Sequence, residues 1–215
     1  MTAALSTRSG DVRRGGRLLE VLAVVLLGVA TVGSAWCGYQ ASRWNSEESE
    51  LAREASDLEV EAARQFGLAT QVISYDSNMV ARYAEAAVEA NEDLMLFYRE
   101  SLIRPGFLPI LDDWEAQARA GTAPTNLLED PAYIEEQLGP YRDTTALAED
   151  ASVEGQEASA TSDDYVLTTL LLASALFFAG VTTSFRVRFA QVLLLVGASV
   201  ILAYAAARIA EAPVA

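Results

Sequence analysis

The chain of 215 residues carries 30 acidic and 15 basic side chains, no histidine and a single cysteine, for a net charge of −15. All 15 basic residues are arginine. Such an acidic chain has no electrostatic reason to bind nucleic acid, whose phosphates it would repel, and without histidine a serine or cysteine nucleophile lacks its usual base.

The first 20 residues hold Arg8, Arg13, Arg14 and Arg17 against Asp11 and Glu20, and an uncharged run of 22 residues, Val21–Ser42, follows. At 1.5 Å rise per residue, roughly 20 apolar residues cross the ~30 Å hydrocarbon core of a bilayer. A cleaved signal peptide is the alternative, since Gly33-Ser34-Ala35 offers a small-x-small site. The uncharged run outlasts that site, so the expectation is a retained anchor: a cytoplasmic segment 1–17 and a transmembrane helix 18–42. Trp36, Tyr39 and Trp44 gather at its outer end, the headgroup level that amphipathic rings favour. Ala30, Ser34 and Gly38 recur at four-residue spacing, a ridge of the kind that lets helix backbones approach closely in lipid. With Trp36, Tyr39, Gln40, Arg43 and Trp44 they are the candidate helix-packing residues, between subunits or against the second span of the same chain.

Residues 40–164 hold 27 acids and 8 arginines, a local charge of −19. No glycine or proline interrupts Tyr39–Phe66, so the first helix is expected to continue outward. Trp44, Leu51 and Leu58 recur every seventh residue beside Ala55 and Ala62, a narrow apolar stripe. Beyond Gly67 a second helical pattern runs through Ile73, Val80, Tyr83, Ala87 and Ala90. Asn91, followed by Glu92 and Asp93, reads as the N-cap of a helix carrying Leu94, Phe97, Tyr98 and Leu102. Arg104-Pro105-Gly106 ends it. Phe107–Arg119 reads as another helix, bent at Pro109, with Trp114 on its face. Gly121–Pro131 is loop-like, 132–139 holds one or two helical turns, and from Tyr141 a long helix runs into the second span. No strand-like alternation occurs. Neighbouring acids such as Glu47-Glu48, Asp112-Asp113, Glu135-Glu136 and Glu149-Asp150 do not face each other on a helix, and a solvated acidic face accounts for them. No metal-ligand spacing occurs either. No catalytic residue, cofactor or metal is therefore expected.

Two further uncharged runs, Tyr165–Phe185 and Phe189–Ala207, span 21 and 19 residues. They place transmembrane helices at 164–185 and 189–209, joined by a turn at 186–188 that contains Arg186 and Arg188. Short arginine-rich segments stay cytoplasmic. Both cationic segments then lie inside, with residues 43–163 and the tail 210–215 outside the plasma (inner) membrane. Arg208 falls at the outer boundary near Asp163 and Asp164, and a pair between Arg208 and one of these acids is expected to join the last two spans. Hydroxyls along the spans (Thr168, Thr169, Ser174, Thr182, Thr183, Ser199) and the Gln191 amide give only a weak polar stripe, which their own helix backbones can absorb.

The block Trp36-Cys37-Gly38-Tyr39-Gln40-Ala41-Ser42-Arg43-Trp44 resembles a family of bacterial three-span membrane proteins, a domain of unknown function with a Trp-x-x-Tyr-Gln-Ala motif at the end of the first span. Phe97-Tyr98-Arg99 with Arg104-Pro105-Gly106-Phe107 and Trp114, then Ser162-Asp163-Asp164-Tyr165-Val166-Leu167 and Leu176-Phe177-Phe178-Ala179-Gly180, are similar to its later blocks. Its proline-rich middle is reduced here to Thr122-Ala123-Pro124-Thr125-Asn126. The resemblance implies a three-span helical architecture and no established activity, so it transfers no functional residue.

These readings converge on an all-α integral membrane protein with three transmembrane helices and an extracytoplasmic helical bundle formed by extensions of the first two spans. The expected role is a non-enzymatic scaffold or accessory subunit in the lipid bilayer, associating through helix packing with copies of itself or with another membrane protein. The alternative is an oligomeric channel or an extracytoplasmic sensor module acting with a partner subunit.

Overall fold

Small residues at every seventh position shape the longest element. The computed structural model describes residues 4–122, 130–182, 184–185 and 187–215, with side chains from Leu19 onward. Helix α1, Ala4–Val88, runs for 85 residues. Most of its buried residues fall in two rows of seven-residue period: Ala23, Ala30 and Cys37 in one, Ala41, Ala55, Ala62, Ala69, Asp76 and Tyr83 in the other, with Gln40 and Ala86 buried beside them. A strict seven-residue repeat keeps one narrow face turned toward a partner helix, and each buried methyl adds about 0.8 kcal/mol. The expected stripe of Leu51 and Leu58 beside Ala55 and Ala62 lies on this face, the leucines half-buried. Gly67 sits inside α1 instead of parting two helical patterns. A helical glycine costs about 1 kcal/mol relative to alanine, and the buried Ala62 and Ala69 on either side carry the helix across it.

The helix stops at Ala90, whose φ of 51° is left-handed. The Asn91 N–H then reaches the Ala86 carbonyl at 3.0 Å, and the Ala90 N–H reaches that of Ala87 at 3.2 Å, which is Schellman geometry without its usual glycine. Asn91 caps α2, Glu92–Phe97, by accepting the Leu94 N–H at 3.1 Å. A wide π turn over Tyr98–Leu102 follows, then a 3-10 turn over Pro105–Phe107. Helix α3, Leu108–Ala120, holds Pro109 in its first turn, where a missing N–H costs nothing, and closes on Gly121 at φ 74°.

Helix α4 runs from Pro131 to Thr182. It starts ten residues before the long helix expected from Tyr141, absorbs the turns expected over 132–139, and passes Pro140 without ending. Asp130 is the reason for the early start: its Oδ1 accepts the N–H groups of Ala132 and Tyr133, both at 2.9 Å. A capping aspartate followed by proline at the first helical position is a helix opening. Most of the expected loop, residues 123–129, lies outside the described residues. Helix α5 covers Arg188–Glu211. Among the described residues there is no strand.

The chain divides into two compact units, Met1–Ala52 with Val153–Ala215, and Arg53–Ser152. In the first unit Gly155 lies beside Leu51, the Ser162 hydroxyl donates to the Ala41 carbonyl at 3.0 Å, and Leu172 lies beside Gly33. Numbering rises along α4 as it falls along α1, so the two run antiparallel. The core of this unit gathers Ala30, Cys37, Ala41, Tyr165, Leu172 and Ala205 from α1, α4 and α5. In the second unit the core is aromatic: Tyr83, Phe107 and Tyr133 with Ile103 and Leu111. Phe107 and Tyr133 meet edge to face at 5.3 Å.

Candidate functional site

The seven-residue rows bring Cys37, Ala41 and Trp44 to the inner face of α1 in the first unit, and Gln40 lies beside them. Cys37 and Gln40 are wholly buried and Trp44 packs against the same core. Trp36 and Tyr39 lie outward, their rings 6.0 Å apart, and Arg43 is also exposed. Along the four-residue ridge, Ala30 is buried, Ser34 is half-buried and Gly38 is exposed. Four residues advance about 400° on a 3.6-residue helix, so each step drifts ~40° away from a fixed face. Within the chain the ridge therefore leaves the core as it ascends. Among the described residues, and apart from its own turn of helix, no atom lies within 4 Å of where a Cβ on Gly38 would sit. The Ser34 hydroxyl is buried and has no partner among the described residues.

At the same end of these helices, Arg208 Nη2 on α5 lies 2.7 Å from Asp164 Oδ1 on α4. Asp163, one residue earlier, points to the exposed face. Beside this pair the segment after α5 folds back: Trp44 Nε1 donates to the Pro213 carbonyl at 3.3 Å, the Tyr165 hydroxyl donates to the same oxygen at 2.9 Å, and the Ala215 N–H donates to Gln40 Oε1 at 3.2 Å. A cavity of about 190 Å³ opens between Asp164, Tyr165, Thr168, Arg208, Ile209 and Pro213. The roles of Tyr165 and Pro213 escape sequence reasoning, because a backbone carbonyl as acceptor has no residue signature. The span hydroxyls are absorbed locally: Thr168, Thr169, Ser174, Thr182 and Ser199 each donate to the carbonyl four residues back. Thr183 lies outside the described residues.

The second unit holds a different polar cluster. Asp76 is 2% exposed and takes three bonds: Arg104 Nε to Oδ1 at 2.9 Å, Arg104 Nη2 to Oδ2 at 2.6 Å, and the Tyr133 hydroxyl to Oδ2 at 2.8 Å. Burial, then the bond to Asp76, pushes the Tyr133 phenol well above its ordinary value. Nearby, Glu115 accepts from the Tyr83 hydroxyl and pairs with Arg99 and Arg119, while Arg99 also pairs with Asp112. Burial, then Glu115, raises the Tyr83 phenol in the same sense. On the surface, bonds from Arg64 and then Gln65 hold Glu61 down at about 2. Arg104 and Tyr133 both direct their bonds to Asp76, so this cluster fastens α1, α4 and the turn after α2 together. A sequence signal for it existed: Asp76 continues the row Ala55, Ala62, Ala69, and a carboxylate on a buried row demands a partner. Among the described residues no group of three or more His, Cys, Asp or Glu side chains is placed to hold a metal ion.

Comparison with family models, curated proteins and solved structures finds no match. The resemblance to the three-span family rests on its residue blocks alone.

Proposed function

We propose that this chain is a multi-pass membrane protein without enzymatic activity, a scaffold or accessory subunit that associates through helix packing. Its N-terminal arginines lie on the cytoplasmic side of a bacterial plasma membrane, and the acidic residues 43–163 lie outside. The observation that carries the reading is inverted polarity in three helices. Three are long and apolar enough to cross a bilayer, with mean hydropathies of 2.0, 1.9 and 2.2 over their most apolar stretches, yet only 17%, 33% and 17% of those stretches are buried. Val24, Val32, Leu170, Phe177, Leu193 and Val200 face outward, while the inner faces carry Ala30, Cys37, Gln40, Ser162, Thr168 and Ala198 alongside Tyr165, Leu172 and Leu195. Water would drive the large apolar groups inward. Lipid makes their exposure costless and leaves small and hydrogen-bonding residues to join the helices.

Two facts favour scaffolding over a channel. The hydroxyls of Thr168, Ser174, Thr182 and Ser199 are spent on their own helix backbones, and the open Gly38 position with the outward Trp36 and Tyr39 offers a contact face at the headgroup level. The test is native mass measurement of the full chain extracted with its surrounding lipid, together with identification of co-purifying chains. A multiple of the chain mass, or a stoichiometric membrane partner, is the expected result; single copies free of partners overturn the scaffold reading. Protease added to intact cells whose outer barrier has been removed is expected to cut within 43–163. Cutting only after lysis reverses the orientation.

A further inference from the structure

Two side-chain donors converge on one backbone oxygen in the first unit. The Trp44 indole N–H and the Tyr165 hydroxyl both reach the Pro213 carbonyl, at 3.3 and 2.9 Å. Two residues on, Gln40 Oε1 takes the Ala215 N–H at 3.2 Å. The chain leaves α5 extended, with Ala212 at φ −72° and ψ 139°. Donors for one carbonyl and an acceptor for the N–H two residues later match the main-chain spacing of an extended peptide, read as strand-addition sites read it. Val214, between the two anchored residues, is 63% exposed. The anchoring bonds therefore go to main-chain atoms, and the intervening side chain is left in the open.

Gln40 also carries one bond too few. Its side chain is wholly buried, and Nε2 has no partner among the described residues. Turning the amide over would set its N–H groups against the Ala215 N–H, so the unused group is the donor. A buried donor left unpaired is unfavourable. The pocket thus offers one more hydrogen bond than Pro213–Ala215 accepts.

We propose that Gln40, Trp44 and Tyr165 form a main-chain recognition site for an extended peptide, occupied here by residues 213–215 as a displaceable strap, and that its exchange partner is a peptide segment presenting a further acceptor to Gln40 Nε2. Exchange would join this end of α1 and α4 to a second chain through backbone atoms, so the partner is selected by extended conformation and access more than by side chains.

The test uses the full chain in lipid nanodiscs, with Val214→Cys carrying a nitroxide in a Cys37→Ala background, and a synthetic peptide copying residues 208–215 as the probe. The label is expected to be restrained without peptide and to become mobile as peptide is added. Half-release is expected at about 1–10 mM, because a tethered segment competes at an effective concentration in the millimolar range. A peptide N-methylated at the residue matching Ala215 lacks the N–H that Gln40 reads, and about tenfold more of it should be required, the worth of one hydrogen bond. Tyr165→Phe and Gln40→Leu should each mobilise the label in the absence of peptide. The proposal is overturned by a label already mobile in the parent chain, by no release at 20-fold more than about 1 mM peptide, or by equal potency of the N-methylated peptide. A Gln40→Leu chain with unchanged mobility and unchanged peptide response also overturns it, since the amide would then be satisfied by water alone.

Discussion

Asp76 and Arg104 meet through two parallel bonds, Nε to Oδ1 at 2.9 Å and Nη2 to Oδ2 at 2.6 Å, with the carboxylate buried and the guanidinium about a third exposed. The two ends of this pair are not equivalent. Removing Arg104 strands a buried charge with only the Tyr133 hydroxyl for support, and an uncompensated buried ion costs about 3–5 kcal/mol. Water reaching the half-open arginine side lowers that, so Arg104→Ala is expected to lose about 2–3 kcal/mol. Asp76→Asn keeps the shape and leaves a guanidinium that water can solvate, at about 1 kcal/mol. Chemical unfolding followed by circular dichroism gives the order; a larger loss for Asp76→Asn would mean that charge does not hold the pair.

Tyr133 gives the same cluster a pH signature. Its phenol is raised above the ordinary 10.0 by burial and then by the bond to Asp76. A raised folded-state value means that the native chain holds the proton more tightly than the unfolded chain. The contribution is therefore complete below pH 10 and is lost as pH climbs from there toward the folded value. Tyr83 is shifted in the same direction by burial and then Glu115. Stability measured from about pH 8 to 11 is expected to fall along the alkaline limb. Tyr133→Phe should flatten the fall without abolishing it, leaving the Tyr83 share. An unchanged alkaline slope in that variant would separate the phenol from the stability of the unit.

Much of the helix content was readable because its signals are local. Asn91 with Glu92 and Asp93 marks a helix opening, and the capping bond to Leu94 stands there at 3.1 Å. Uncharged runs gave three helices of spanning length. Other features depend on partners distant in sequence and left no local mark. Gly67 carries a real local cost for a helix, yet the buried Ala62 and Ala69 on either side hold α1 across it, and α4 likewise continues through Pro140. The Asp130-Pro131 opening was legible and was masked by the loop-like composition around it. The row Ala55-Ala62-Ala69 extended one step would have singled out Asp76, though neither Arg104 nor Tyr133 could be named as its partner from spacing alone.

Ala90 holds a left-handed φ of 51° at the end of α1, where glycine is the residue without a steric penalty. The conformation costs alanine roughly 1–2 kcal/mol, partly offset by the extra freedom glycine gains on unfolding. Ala90→Gly is therefore expected to stabilise the second unit by about 0.5–1 kcal/mol. Gly121 supplies the control: at φ 74°, Gly121→Ala should destabilise by a comparable amount. Denaturant midpoints of the two single variants should move in opposite directions, and movement in the same direction would show that the turn geometry is not what limits either site.

Two glycines on the helices of the first unit separate folding from association. A Cβ on Gly155 would meet Leu51 Cβ at 3.5 Å and the Glu48 carbonyl at 3.9 Å, ordinary contacts against a neighbouring helix. Gly155→Ala should thus be neutral or stabilising by up to about 1 kcal/mol through helix propensity. Gly155→Leu must push α1 and α4 apart and should cost about 1–3 kcal/mol as an overpacked seam. Gly38 differs because, beyond its own turn of helix, nothing among the described residues lies within 4 Å of the added carbon. Gly38→Leu should leave the isolated chain as stable as the parent or up to about 1 kcal/mol more stable, since leucine favours the helix over glycine. If the face holding Gly38 packs against a second helix in the membrane, that leucine also blocks the close approach that small residues allow. The expected pair of results is an unfolding midpoint no lower than the parent's with loss of the higher-mass species in native mass measurement. Gly155→Leu should give the opposite pair, a lowered midpoint with association retained by the chains that remain folded. A Gly38→Leu chain that keeps its full native mass would move the association surface elsewhere on the protein.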